Sequence, residues 1–324
     1  MLAVTIDTEC DKGAAWKTLR PLAYRSVLEG IPQTLTPLFA RLGVRPTYLL
    51  SPEVMAHQPC VDLLAGLPDC ELGTHLHAEF IGPEPQPEAE TTNLPQAACR
   101  PEVEQAKLRN LTELFGRAFG RPPVSFRGGR FSLSPGSLGY LADLGYKVDT
   151  TVTPFRTNIY QEGPTANYWG AALSPYRPAA SDPRRAGELP LLEVPVSLVA
   201  PAFRRWPEWV LRRLNDQTAA QLVRLRWPGL STKKYWVRPL RGTPEQLTTW
   251  ADDIIDHWPG VGPAVINIMF HSNECWVGTS PYTLEPAGLD VFVRDLKALL
   301  EHLVNRRQAR SVTLAELAGE FGVN

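Results

Sequence analysis

Residues 1–9 read MLAVTIDTE. Leu2 to Ile6 form a short apolar, β-branched run, the length of a buried strand. The run ends in Asp7-Thr8-Glu9. Side chains alternate along an extended chain, so Asp7 and Glu9 share a face. Two carboxylates at the carboxyl end of a buried strand stand where α/β proteins keep their chemistry. A strand end that merely meets solvent would look the same, so the remaining chain has to decide.

Outward from this strand, strands and helices alternate. Helical spacing of apolar residues predicts helices over 25–42, 52–67, 102–119, 134–144, 206–225, 244–258, 286–304 and 314–321. Within 134–144, Ser134 is the expected N-cap and Pro135 the first helical residue. Short apolar runs predict strands over 47–50, 70–75, 124–127, 146–152, 191–199, 264–270 and 311–313. Pro195 argues for an edge or bulged position in its strand. Residues 78–101 and 154–190 have little periodicity and read as loop insertions that wall a substrate cleft. A basic, aromatic loop spans 226–242. There is no repeat and no shift in composition, so one domain over 1–324 is expected. Seven or eight strands alternating with helices imply a parallel sheet with right-handed crossovers. The expected class is α/β, a closed or nearly closed (β/α) barrel, with an open doubly wound sheet as second choice. No GxGxxG or GxxxxGK[ST] follows the first strand, so no nucleotide-binding motif supports that second choice.

Composition narrows the function classes. The 324 residues carry a net charge of −1, which favours neither nucleic acid nor an anionic membrane as partner. No apolar run approaches the ~20 residues of a membrane span. The five cysteines are widely spaced without a CxxC pair, as expected of a reducing compartment without a disulfide framework. The first strand begins at residue 2 with no charged leader ahead of it, so the numbered chain reads as cytoplasmic. The nine tryptophans are many; most belong to core packing, and exposed ones suit stacking on sugar rings.

The chemistry-bearing residues gather at predicted strand ends: Asp7 and Glu9, His75 and His77, Arg127 and Arg130, Asp149, and His271. In a parallel barrel, all carboxyl ends meet on one face. His75 and His77 are an HxH pair on extended chain, so both imidazoles point the same way. With one carboxylate from the first strand they make a two-His, one-carboxylate set that suits Zn²⁺, Fe²⁺, Co²⁺ or Mn²⁺. Water on such an ion becomes a usable nucleophile near neutral pH. The second carboxylate can act as general base and His271 as general acid. Arg127 is expected to hold the base through a bidentate pair. Cys10 and Cys275 flank this site without a neighbouring base, which speaks against a thiol nucleophile.

The ordered segments TIDTE, GTHLH, VSFRGGRFSLSP, YKVDTTVTPF and NIMFHSNE resemble the polysaccharide deacetylases of the NodB-homology type, carbohydrate esterase family four. The likeness runs over nearly the whole chain and is nearest to the WalW-like branch, found with bacterial surface-polysaccharide genes. It implies a distorted (β/α) barrel of about seven parallel strands and metal-dependent removal of acetyl from an N-acetylated sugar, in lipopolysaccharide or surface-polysaccharide assembly. The ion implied is a divalent metal, Zn²⁺ first, with Co²⁺, Mn²⁺ and Fe²⁺ as alternatives. The carrier of the sugar (nucleotide, lipid or oligosaccharide) stays open.

Residue by residue, Asp7 matches the family's catalytic base. The family's metal-binding aspartate follows directly; here that position is Thr8, and Glu9 is the candidate ligand. The family's paired histidines are four apart, whereas His75 and His77 are two apart. Arg127 matches the arginine that orients the base, and His271 the general acid. Asp149 matches the carboxylate that assists His271. Two other readings compete: a sugar-binding barrel without activity, and a metal-dependent amidohydrolase acting on a small non-sugar amide such as a ureide.

Overall fold

A computed structural model describes residues 1–86, 95–160, 165–226 and 231–323. Residues 87–94 and 161–164 of the two predicted loops, and 227–230 of the basic, aromatic loop, lie outside the described residues.

Seven strands form one parallel sheet: β1 (Leu2–Thr8), β2 (Thr47–Leu50), β3 (Glu71–Leu76), β4 (Ser125–Gly128), β5 (Val148–Asp149), β6 (Leu192–Glu193) and β7 (Ile266–His271). Their order is β6-β5-β4-β3-β2-β1-β7. β1 therefore lies between β2 and β7, joining the chain's beginning to its last strand. The sheet curls into a distorted (β/α) barrel. No ladder joins the edge strands β6 and β7 among the described residues. The chain beyond β6 bridges that gap: the Ser197 amide donates to the Asn267 carbonyl (3.0 Å), and the Asn267 amide donates to Ser197 Oγ (2.9 Å).

Alternation along β1 explains why both of its faces are buried. Leu2, Val4 and Ile6 pack outward in the main core, with Val27 and Ile31 from Ser26–Leu35 and Leu296 and Leu299 from Pro286–Glu301. Ala3 points inward and packs at the barrel floor with Leu314 and Leu317 of the last helix, Leu314–Glu320. Above that floor the lumen turns polar. Thr5 Oγ1 donates to Asn267 Oδ1 (3.0 Å), and Asn267 Nδ2 donates to Thr150 Oγ1 (2.9 Å). A buried polar lumen is tolerable only because its members satisfy one another. It forms the base on which the strand-end groups stand.

Several boundaries differ from expectation, each for a local reason. The predicted helix over 25–42 forms, but Ser26–Leu35 winds as a π-helix before Thr36–Leu42 resumes α-geometry. Pro32 lies inside it and has no N–H to give, which favours the wider turn. The helix over 52–67 splits into Pro52–Met55 and Gln58–Ala65, because Pro59 fits a first turn and not a helix interior. The helix over 206–225 splits into Glu208–Leu211 and Asp216–Arg226; Asn215 starts the second by accepting from the Thr218 amide (2.8 Å). The helix over 134–144 begins only at Ser137, since Ser134 Oγ accepts from the Gly136 amide and holds the chain in a turn. The expected strand over 311–313 reduces to a bridge between Leu2 and Ser311. Thr313 there turns the chain into the last helix through a capping box with Glu316. The strand over 191–199 shortens to β6, and Leu198–Val199 pairs instead with Tyr235–Trp236 in a separate ribbon.

Candidate metal centre

Register brings the strand ends together. Asp7 on β1 lies beside His271 on β7, and His75 on β3 beside Arg127 on β4. Two residues past Asp7 on the same face, Glu9 Oε1 reaches His77 Nε2 at 3.2 Å and His75 Nε2 at 3.3 Å. The two Nε2 atoms are 3.1 Å apart. All three residues are buried. Asp7 Oδ2 stands 3.8 Å from His75 Nε2 and 3.8 Å from His271 Nε2, and the latter is 3.8 Å from Glu9 Oε1. Two overlapping sets of three potential ligands result: Glu9, His75 and His77, and Asp7, Glu9 and His271.

The donor chemistry fits a cation. His75 Nδ1 lies 3.0 Å from the Arg127 carbonyl, which can only accept, so Nδ1 carries the proton and Nε2 is left as a lone pair. His77 Nδ1 faces Glu79 Oε1 at 3.2 Å in the same sense. Two imidazole lone pairs and a carboxylate oxygen then point at one another, an arrangement that needs a positive charge between them. The carboxylate–histidine contact at His77 and the carbonyl–histidine contact at His75 are the supports metal-binding imidazoles usually have. Protons compete for the place: burial opposes a charge on His77, but Glu9 and Glu79 outweigh it and raise the imidazole to about 9. Burial works against ionised Glu9 too, and His77 and Lys12 hold its carboxyl well below the usual range. Lys12 Nζ lies 3.4 Å from the second Glu9 oxygen.

Arg127 is fully buried. It donates from Nη1 to Asp7 Oδ1 (2.6 Å), from Nη2 to Thr5 Oγ1 (2.7 Å), and from Nε to the Thr150 carbonyl (2.9 Å). Its contact with Asp7 is thus a single bond and not the bidentate pair expected from sequence, because the rest of the fork is tied to the lumen. The second Asp7 oxygen stays free to face the site. Burial raises the Asp7 carboxyl, yet Arg127, His75 and His271 together bring it below its ordinary value. Arg127→Met leaves that carboxylate buried and unpaired. The expected cost is about 3–5 kcal/mol of stability, to be read from urea unfolding at pH 7; a loss under about 1 kcal/mol would count against the pair.

Asp149 takes a different place from the one expected. It is buried beneath the site, accepts from Thr151 Oγ1 (2.6 Å), and pairs across the ladder with Glu193 of β6. Burial pushes both carboxyls up, and the Asp149 charge pushes Glu193 further. The carboxylate against His271 is Glu274, with Oε1 3.2 Å from Nδ1 and an ion pair to Arg238 behind it. Glu274 lies in NIMFHSNE and could have been found: three residues past His271, a tight turn returns its side chain to the imidazole. Glu79 and Glu193 carried a weaker signal, a lone acid within an apolar run.

Arg130, which follows the paired glycines, pairs with Glu79 (2.6 Å), and Glu79 in turn faces His77. A Cβ at Gly129 would collide with the Leu76 carbonyl and press on His77, which only glycine avoids. Burial raises the thiols of Cys10 and Cys275, further evidence against a thiol nucleophile. All five cysteines are unpaired.

Above His271 opens a cleft of about 370 Å³. Residues 156–160 of the second predicted loop line it, whereas none of the described residues of 78–101 does. Its other walls include Trp16, Phe131, Trp236, Arg238, Arg241 and Tyr282.

The fold is similar to that of several solved structures. A candidate glycoside hydrolase/deacetylase from Parabacteroides distasonis superposes with a TM-score of 0.63 at 14% identity, over 99% of this chain and 70% of that one. The PuuE allantoinase superposes with a TM-score of 0.53 at 11% identity, over 100% and 89%. A candidate polysaccharide deacetylase from Mycobacterium smegmatis matches with a TM-score of 0.46 at 16% identity, over 96% and 93%. At such identities the likeness is one of fold alone. No protein-family profile and no curated protein matches the sequence. Among the described residues, no helix is long and apolar enough to cross a membrane.

Proposed function

We propose that this protein is a metal-dependent hydrolase that removes acetyl from the nitrogen of an amino sugar, in the assembly of a bacterial surface polysaccharide or lipopolysaccharide. One observation carries the reading: Glu9, His75 and His77 converge on a point that Asp7 and His271 face from adjacent strands. Two imidazoles and a carboxylate suit Zn²⁺, with Co²⁺, Mn²⁺ and Fe²⁺ as alternatives. Such an ion supplies Lewis acidity toward the amide carbonyl and lowers the pKa of water. The protein's own groups do the rest. Asp7, ionised and held by Arg127, accepts the proton of the attacking water through its free oxygen. His271 acts from its imidazolium form: Nε2 gives its proton to the nitrogen as the C–N bond breaks, releasing the free amine and acetate, and the proton taken by Asp7 passes to solvent. Trp16, whose ring centroid lies 4.9 Å from that of His271, offers a face for the sugar.

The test is acetate release from N-acetylglucosamine oligomers by Zn²⁺-loaded protein, abolished by a chelator and restored by metal. If no N-acetyl sugar is turned over and a ureide is, the amidohydrolase reading replaces this one. If neither is turned over while sugars still bind, the chain is an inactive sugar-binding barrel. Glu274→Gln removes the charge behind His271. It is expected to lower turnover about tenfold with metal content unchanged, which steady-state kinetics beside metal analysis would show.

A further inference from the structure

The cleft above His271 has an excess of positive charge that the deacetylation chemistry leaves unused. Three guanidinium groups surround the Trp236 indole: Arg156 at 5.0 Å from the ring centroid, Arg238 at 5.3 Å and Arg241 at 5.3 Å. Arg238 is neutralised by Glu274, and nearby Lys234 and Arg130 by Asp216 and Glu79. Arg156 and Arg241 have no carboxylate partner among the described residues. Arg156 rests on the rings of Phe131 and Trp236, and Arg241 on Trp236 and Tyr282, whose hydroxyl accepts from it at 3.3 Å. Both line the same cleft as His271, and both also line a second cavity of about 250 Å³ behind Trp236. Arg156 is half-buried, and burial, then Arg241 and Arg238, weaken its hold on its proton. The chain as a whole carries −1, so this excess is local.

Like charges gathered in a partly desolvated pocket repel one another, and aromatic faces offset only part of that cost. A bound anion removes it. We propose that the cleft contains a phosphoryl subsite, in which Arg156 and Arg241, set around Trp236, bind the phosphate of a phosphorylated or diphosphate-linked N-acetyl sugar. Two unpaired guanidinium charges match the two negative charges of a phosphate monoester or a diphosphate, where a single carboxylate would neutralise one. Guanidinium forks also suit phosphate oxygens in paired hydrogen bonds. From the metal centre, His271, Trp16, Tyr282 and Arg241 form a continuous series of contacts, with Trp16 and Tyr282 centroids 5.4 Å apart. The sugar spans the aromatic pair, its acetamido group at His271 and its phosphate at the arginines.

This rests on the deacetylase reading for the sugar's placement, but its test does not need turnover. Binding to Zn²⁺-loaded protein is measured by calorimetry with N-acetylglucosamine, N-acetylglucosamine 1-phosphate, UDP-N-acetylglucosamine, a prenyl-diphosphate-linked N-acetylglucosamine and an N-acetylated uronic acid sugar. The phosphate-bearing probes are expected to bind at least about tenfold tighter than the neutral sugar, the size of one or two charge-assisted hydrogen bonds. That preference should fall to about twofold or less in the Arg156→Gln/Arg241→Gln double variant, and should shrink with added salt. The nucleotide and prenyl probes tell which carrier supplies the phosphate. No preference for phosphate, a preference that survives in the double variant, or an equal gain from the uronic acid sugar would overturn the subsite. Acetate released from neutral oligomers without any phosphate preference sinks the subsite and leaves the deacetylase standing. Arginine-dependent phosphate binding without acetate release does the reverse.

Discussion

His75→Ala and His77→Ala are each expected to weaken metal binding by roughly 10²–10³-fold while the fold persists. The reason lies in how few groups share the ion. A protein-bound Zn²⁺ is typically worth about 10–16 kcal/mol across its ligands, so each ligand contributes a few kcal/mol. Here three side chains, Glu9, His75 and His77, form the tighter of the two sets, and among the described residues no other imidazole stands within 3.5 Å of Glu9 Oε1. His75 and His77 sit at the end of β3, where their loss opens a small cavity and costs His75 a single bond to the Arg127 carbonyl. The barrel core does not depend on them. Titration of apo protein with Co²⁺, followed by visible absorption, reads the affinity, and circular dichroism reads the fold. Wild-type affinity in both variants would remove the metal centre from β3. A pH dependence accompanies the binding. Because His77 holds its proton up to about 9 in the metal-free protein, the ion must displace that proton at neutral pH. Apparent affinity in the wild type should therefore rise roughly tenfold per pH unit below about 9 and level off above it.

Asp7→Asn is expected to keep its metal and lose about 10²-fold or more in turnover, the usual size of a general-base contribution. Geometry separates the two carboxylates of β1. Glu9 Oε1 touches both imidazoles of the HxH pair, whereas Asp7 approaches His75 only to 3.8 Å and gives its other oxygen to Arg127. On this geometry Glu9 would serve as the ligand and Asp7 as the base, the assignment the variant tests. The substitution is nearly isosteric, and the amide oxygen can still accept from Arg127, so the fold should tolerate it better than Arg127→Met. The measurement is acetate release per bound metal ion, set beside His271→Ala, for which a similar loss is expected with metal retained. Full activity in Asp7→Asn would falsify the base assignment. Loss of metal in that variant would instead exchange the roles of Asp7 and Glu9.

Much of this was legible along the chain. Period-two alternation in residues 2–9 places Asp7 and Glu9 on one face whatever β1 pairs with, and the same rule aligns His75 with His77. The alternation of strands and helices implies a parallel sheet, and a parallel sheet gathers its carboxyl ends. These are local or topological consequences of the covalent chain. What the sequence left open concerns distance in space between residues far apart in sequence. Asp149 ends its strand, β5, yet the register of β5 against β6 turns it to Glu193, and His271 finds Glu274 from its own turn. Arg127 has a fork that suits a bidentate pair, yet Thr5 and Thr150 take most of it, because the lumen has donors and acceptors of its own to satisfy. The arginines around Trp236 come from residues 156, 238 and 241, and only folding brings their charges into one cleft. Alternation and spacing decide which way a side chain points. Only packing and register decide what it meets there, since the cost of a buried charge depends on every neighbour at once.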